Sequence, residues 1–288
     1  VPWLCRDAEP GKLCEACRHN RLIPDLSVPG NAVRWQSLEL AKHQLLYSLM
    51  RWRLPLAERP SSPDGLMFDF VADDPSGATP ALTGHNDGVI TINLAEADDA
   101  EREARRVALG EPYRTVLGHL RHETGHYYWS VLVEAAPPLT EFREVFGNER
   151  QDYAAALARH HASGPQAGWE GAFISAYASA HPWEDFAETW AHYMHIVDAL
   201  ETAASFGLRL NPRIAAPGNL AARVDLAPYA AASLDDLVAA WVPLTVAVNA
   251  INRSMGQPDL YPFVLSGKVV EKLGFVHRLV RDKALATT

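Results

Sequence analysis

Residues 122–126 read His-Glu-Thr-Gly-His, and their spacing carries more chemistry than any other stretch of the chain. On a helix advancing about 100° per residue, His122 and His126 lie about 40° apart on one face and about 6 Å apart along the axis, so two imidazoles can converge on one ion. Glu123 falls about 60° from His126, within reach of a water held by that ion. The competing reading is a helix that happens to carry two histidines. Val116, Leu117, Leu120, Tyr127, Trp129, Val131 and Leu132 weigh against it, because they make the segment apolar on most sides. Both rings are then expected to be buried, and buried polar rings need partners, of which a metal ion is one.

Catalytic zinc takes three protein ligands and leaves one position open for water. A third histidine six residues after the second is excluded, because that position is Leu132. The remaining ligand must come from farther along, and the stretch from Tyr177 to His192 offers candidates. Pro182 stands where a helix can begin, and Glu184, Glu188 and His192 follow at four-residue steps along one face.

The elements that must position these residues are legible from periodicity. Trp35, Leu38, Leu45, Leu49 and Trp52 return to one face of a helix that starts near Asn31, a candidate cap, and ends before Pro55. Leu66 to Val71 and Val89 to Leu94 are rich in strand formers, with turn chemistry at Asn86-Asp87-Gly88, and are expected to pair in a small sheet. The acidic run opening at Glu96 suits a solvated first helical turn. Beyond it the pattern is helical over Tyr113 to Val133, Glu141 to Phe146, Gln151 to His161, Trp183 to Ala204, Leu234 to Asn252 and Gly267 to Arg281. The fold class expected is α+β, mostly helical, with one small early β-sheet.

Composition narrows the function classes. The 288 residues carry 26 basic and 35 acidic side chains, a net charge of −9, which argues against a nucleic-acid binder that needs surplus Lys and Arg for phosphates. Hydrophobic residues at 48% against 21% charged are the proportions of a chain that folds. The longest apolar stretch, Leu237 to Ile251, holds Pro243, Thr245 and Asn249 and falls short of the roughly 18 to 20 residues of a membrane span, so it reads as a core helix with no membrane partner. No secretory signal order opens the chain, and its three cysteines, Cys5, Cys14 and Cys17, leave one thiol unpaired whatever the disulfide pattern, so a reducing, cytoplasmic setting is expected.

Two resemblances enter on these residues. The paired motifs are similar to those of gluzincin metallopeptidases, in which a second helix presents a glutamate as third ligand. Tyr177 to Glu188 resembles the catalytic domain of anthrax lethal factor, where a tyrosine stands seven residues before the ligand glutamate and another glutamate four residues after it. That likeness implies Glu184 as ligand, Tyr177 as the hydroxyl that steadies the reacting oxygen, and Glu188 as a carboxylate supporting the ligands. A longer resemblance is to a bacterial family of zinc-binding metallopeptidases that carry a cysteine-rich zinc ribbon ahead of the peptidase domain. Its marks are Cys17 to Leu26, Thr83 to Thr91, Glu111 to Thr115 and His181-Pro182-Trp183-Glu184-Asp185. It implies a zincin-like fold with two metal-binding helices over residues 31–288, preceded by a lead segment, residues 1–30, that is a ribbon remnant.

On this footing His122, His126 and Glu184 are expected to hold one catalytic Zn²⁺, with a water in the fourth position whose proton Glu123 takes and later gives to the departing amine. Tyr177 is expected to donate to the oxyanion, and Glu188 to fix the tautomer of a ligand imidazole, with Asp185 and His192 as weaker candidates for that supporting role. His85, His119, His181 and His195 read as structural histidines. Arg114 and Arg121 are candidates for a substrate carboxylate, and the strand from Val89 to Leu94 for pairing with an extended peptide. Cys14 and Cys17 have the gap of a zinc knuckle with Cys5 as a third thiolate, but a closed structural site needs a fourth ligand, either His19 or, as the resemblance implies, a cysteine upstream of Val1. The function expected is hydrolysis of peptide bonds in a peptide or protein substrate. The alternatives are a non-catalytic zinc-containing binding or regulatory protein, which would have no need of Glu123, and hydrolysis of a non-peptide amide.

Overall fold

The computed structural model describes residues 13–58, 62, 65–73, 83–134, 137–213 and 220–286, so Cys5 lies outside the described residues. The chain divides into two compact units, residues 1–141 with 283–288 and residues 142–282, and the division falls inside helix α4 (Leu139–Phe146).

The first unit holds β1 (Asn20–Leu22), α1 (Asn31–Arg51), β2 (Met67–Val71), β3 (Gly84–Asn86), β4 (Val89–Asn93), α2 (Asp99–Ala108) and α3 (Val116–Trp129). Strand order is β1-β2-β4-β3. The two strands expected from sequence do pair, and they run parallel, with Phe68 opposite Ile90 and Phe70 opposite Ile92. These four side chains share one face and are fully buried, and Met67, Asp69 and Val89 on the other face are buried too, as strands covered on both faces require. The turn at Asp87-Gly88 closes a hairpin from β3 to β4, both residues taking positive φ (48° and 77°), which a two-residue hairpin loop favours and Gly tolerates best. β4 is therefore an inner strand, and the short β3 takes the edge among the described residues.

Helix α1 has Gly30, not Asn31, as its cap; Asn31 is the first helical residue, and its amide donates to the Asp25 carbonyl at 3.0 Å. Its apolar face, with Leu38, Leu45, Leu46 and Leu49, packs on α3. Lys42, on the same helix, is buried without solvent contact: its ammonium pairs with Glu39 at 2.7 Å and sits 5.4 Å from the centre of the Phe70 ring. Asp98 caps α2 by accepting from the amides of Ala100 and Glu101.

The second unit holds α5 (Tyr153–Ser163), α6 (Pro182–Ser205), β5 (Arg209–Leu210), β6 (Ala222–Arg223), α7 (Leu234–Ser254) and α8 (Gly267–Ala286). Helix α6 is buried on nearly every side, and Phe186 lies among Phe142, Phe146 and Phe275, whose ring centres are 5.6 to 6.3 Å from its own. Helix α7 departs from the expected core helix. It extends to 21 residues, long and apolar enough by length and composition to cross a membrane, and while Leu237, Trp241 and Leu244 are buried, Val242, Val246 and Ile251 face solvent.

Candidate metal centre

Helix α3 starts where Thr115 accepts from the Gly118 amide at 3.0 Å. Leu120, Tyr127, Tyr128 and Trp129 then anchor it in the first unit, and it packs against α1, β3 and β4. His122 and His126 emerge on the remaining face, half-buried where sequence implied full burial. Their Nε2 atoms lie 3.2 Å apart with the rings 78° to each other. Two nitrogens bound tetrahedrally at about 2.0–2.1 Å from one zinc ion would stand about 3.3 Å apart, so the pair fits such an ion. Glu123 is buried beside them in the helix. After Trp129 the helix widens into a π turn, Ser130–Glu134.

The surroundings of this pair decide several sequence expectations. His119 Nδ1 lies 3.1 Å from Glu96, and the same carboxylate holds Arg114 at 2.8 Å and Arg105 at 2.9 Å. Burial would raise the Glu96 carboxyl, but His119 and Arg114 outweigh it and bring it down to about 2. Arg114, which also binds Glu111 at 3.0 Å, is thus engaged within the fold, and Arg121 is buried; neither is presented to a substrate carboxylate. His85, on β3, lies with its ring 6.4 Å from that of His126 and nearly parallel. Its Nε2 accepts from the Gly88 amide at 3.1 Å, and burial, aided by His126, pushes its pKa down to about 4, so it is neutral at pH 7.

In the second unit, the start of α6 is built by a single histidine. His181 Nδ1 accepts from the Trp183 amide at 3.1 Å as the helix cap, so the ring proton sits on Nε2, which faces the Gln151 carbonyl at 3.3 Å. Pro182 follows at the first helical position, where its missing N–H costs nothing. Glu184 comes two residues later, 1% exposed, with the Tyr153 hydroxyl donating to its Oε1 at 2.5 Å. Asp185 forms an ion pair with Lys272 at 2.6 Å, and burial pushes its carboxyl up to about 7 against the pull of that ammonium. Glu188 accepts from the Ser175 hydroxyl at 2.7 Å. His192 is buried, with Nδ1 2.8 Å from the Tyr261 hydroxyl. Tyr177 is half-buried in a short turn, its ring edge-on to His160 at 5.9 Å.

Structure thus adds partners that sequence reasoning did not single out: Tyr153 for Glu184, Ser175 for Glu188, Lys272 for Asp185 and Tyr261 for His192. The signal available beforehand was weak. Asp152 caps α5 by accepting from Ala155, which marks where a helix starts but not what Tyr153 meets.

The cysteines stand apart. Cys14 and Cys17 form no disulfide, and burial, aided by Cys14, raises the Cys17 thiol to about 11. His19 is buried with Nδ1 2.8 Å from the Leu66 carbonyl. Among the described residues these three do not make a metal-holding group.

Residues 31–279 match the model of a family described as "putative zinc-binding metallo-peptidase". Uncharacterized proteins of Mycobacterium bovis and Mycobacterium tuberculosis are 42% identical over 284 residues, an alignment covering 98% of this chain and 80% of theirs. No solved structure matches the chain. The match begins at the first residue of α1 and runs into α8, taking in both motif-bearing helices, and on that extent this chain belongs to the family of putative zinc-binding metallo-peptidases.

Proposed function

We propose that the protein is a zinc-dependent peptidase of the gluzincin type with a zincin-like fold, and that His122, His126 and Glu184 hold one Zn²⁺. The observation that carries this reading is the imidazole pair on α3, with Nε2 atoms 3.2 Å apart and Glu123 in the same turn. The ligand set is supported by donor chemistry: two neutral rings with one carboxylate leave zinc a net positive charge.

When bound, zinc supplies a Lewis acid that polarises a carbonyl and acidifies a water. Glu123 accepts a proton from the attacking water and returns it to the leaving amine. The Tyr177 hydroxyl donates to the substrate oxygen as negative charge grows there. Glu188 supports the ligand shell, its carboxylate held by Ser175. An extended substrate would pair with β3, since β4 is flanked on both sides and β3 forms the edge of the described sheet.

The deciding experiment is cleavage of a diverse peptide library by the purified protein, with and without a chelator. Cleavage that the chelator abolishes and added zinc restores supports the reading, and silence across the library with zinc bound favours a binding protein.

A further inference from the structure

The Glu184 carboxylate is 1% exposed, and a buried carboxylate takes its direction from whatever donates to it. One donor is a phenol, Tyr153, whose hydroxyl lies 2.5 Å from Oε1. Asp185, the next residue, receives an ammonium, Lys272 at 2.6 Å. The contrast has a chemical consequence. A cation neutralises its carboxylate and competes with any metal for it, whereas a neutral O–H fixes the oxygen it binds without cancelling the charge.

The phenol is itself held by the residues that start α6. Its ring meets the cap residue His181 edge-on, with centres 5.1 Å apart at 89°, and Trp183 at 5.6 Å. The backbone one step further back, Gln151 C=O, faces His181 Nε2. Tyr153 is also the first residue of α5, whose cap is Asp152, so its backbone position is set by a helix start on its own side. Two helix N-termini therefore lock one phenol onto one carboxylate oxygen.

We propose that Tyr153 is a positioning residue for the metal centre: its hydroxyl holds Oε1 of Glu184 and so fixes the direction in which that carboxylate is presented. This rests on the reading of Glu184 as third ligand.

The test is zinc affinity, measured by chelator competition on the full chain, for the parent, Tyr153→Phe, Glu184→Gln and the double variant. Tyr153→Phe keeps the ring and removes only the donor. It is expected to weaken zinc binding about 10–100-fold, the range for losing a hydrogen-bond partner of a metal ligand, while adding no further loss in the Glu184→Gln background. Cobalt substitution should show the same variant with an altered visible spectrum, which packing alone would not move. Parent-like affinity in Tyr153→Phe, or an equal loss in both backgrounds, overturns the proposal while Glu184 remains a ligand. Parent-like affinity in Glu184→Gln overturns the ligand assignment itself. Thermal melts of the metal-free variants establish that each is folded, and a Tyr153→Phe chain that fails to fold without metal overturns a role confined to positioning.

Discussion

At Glu123 the difference between a carboxylate and its amide isolates one proton transfer. Both have nearly the same size, so Glu123→Gln should keep the zinc content of the parent while peptide turnover falls about 10²–10⁴-fold, the usual worth of a general base. Undiminished turnover at full zinc occupancy would remove Glu123 from the chemistry. Glu96 provides a test away from the reacting atoms. Its pKa drops from an ordinary 4.5 to about 2 in the folded state, so its contribution to stability is fully present above about pH 4.5 and is lost as pH falls toward 2. That shift corresponds to about 3 kcal/mol as an upper figure. Glu96→Gln should be less stable than the parent at pH 7, and the gap should close as acid titrations pass from pH 4.5 to 2. Equal stability at pH 7 would mean that His119, Arg105 and Arg114 gain nothing from this carboxylate.

At the scale of elements, the proposed metal ligands sit at places that local geometry controls. Residues four apart on a helix meet whatever the rest of the chain does, so His122 and His126 came together as their spacing implies. The start of α6 is equally local: His181, Pro182, Trp183 and Glu184 occupy the cap and the first three helical positions. A glutamate at the third position commonly reaches back to its own cap; Glu184 accepts from Tyr153, at the start of a different helix. His181→Ala removes the cap acceptor and should destabilise the protein by about 0.5–2 kcal/mol in chemical denaturation. An unchanged midpoint would show that Pro182 alone suffices to start the helix. Helix α7 shows where element-level reading failed: its apolar residues are frequent enough to read as core on all sides, but only the face bearing Leu237, Trp241 and Leu244 is covered.

For the whole molecule, the consequence of a bound metal is thermodynamic. Zinc that binds the folded chain and not the unfolded one stabilises it by about 2.7 kcal/mol at a free concentration 100-fold above its dissociation constant. Melting curves should therefore rise by several degrees on adding zinc to metal-free protein, and His126→Ala should lose that rise. An equal rise in His126→Ala would place the stabilising ion elsewhere.

The sequence by itself determined what depends on near neighbours: most helix boundaries within a few residues, the stretches Leu66–Val71 and Val89–Leu94 as strands though not their parallel direction, the paired imidazoles, and the proline start of α6. Only the tertiary structure decided the partners. Tyr153 and Glu184 are 31 residues apart, His192 and Tyr261 are 69, and nothing in the spacing of either pair encodes the meeting. The same holds for the edge of the sheet, which passed to Gly84–Asn86 because the hairpin turn at Asp87-Gly88 folds that segment over Val89–Asn93. Periodicity and capping are repeated every turn and so leave a pattern in one stretch of chain. A hydrogen bond between distant residues is made once, by the path the backbone takes to return, and leaves none.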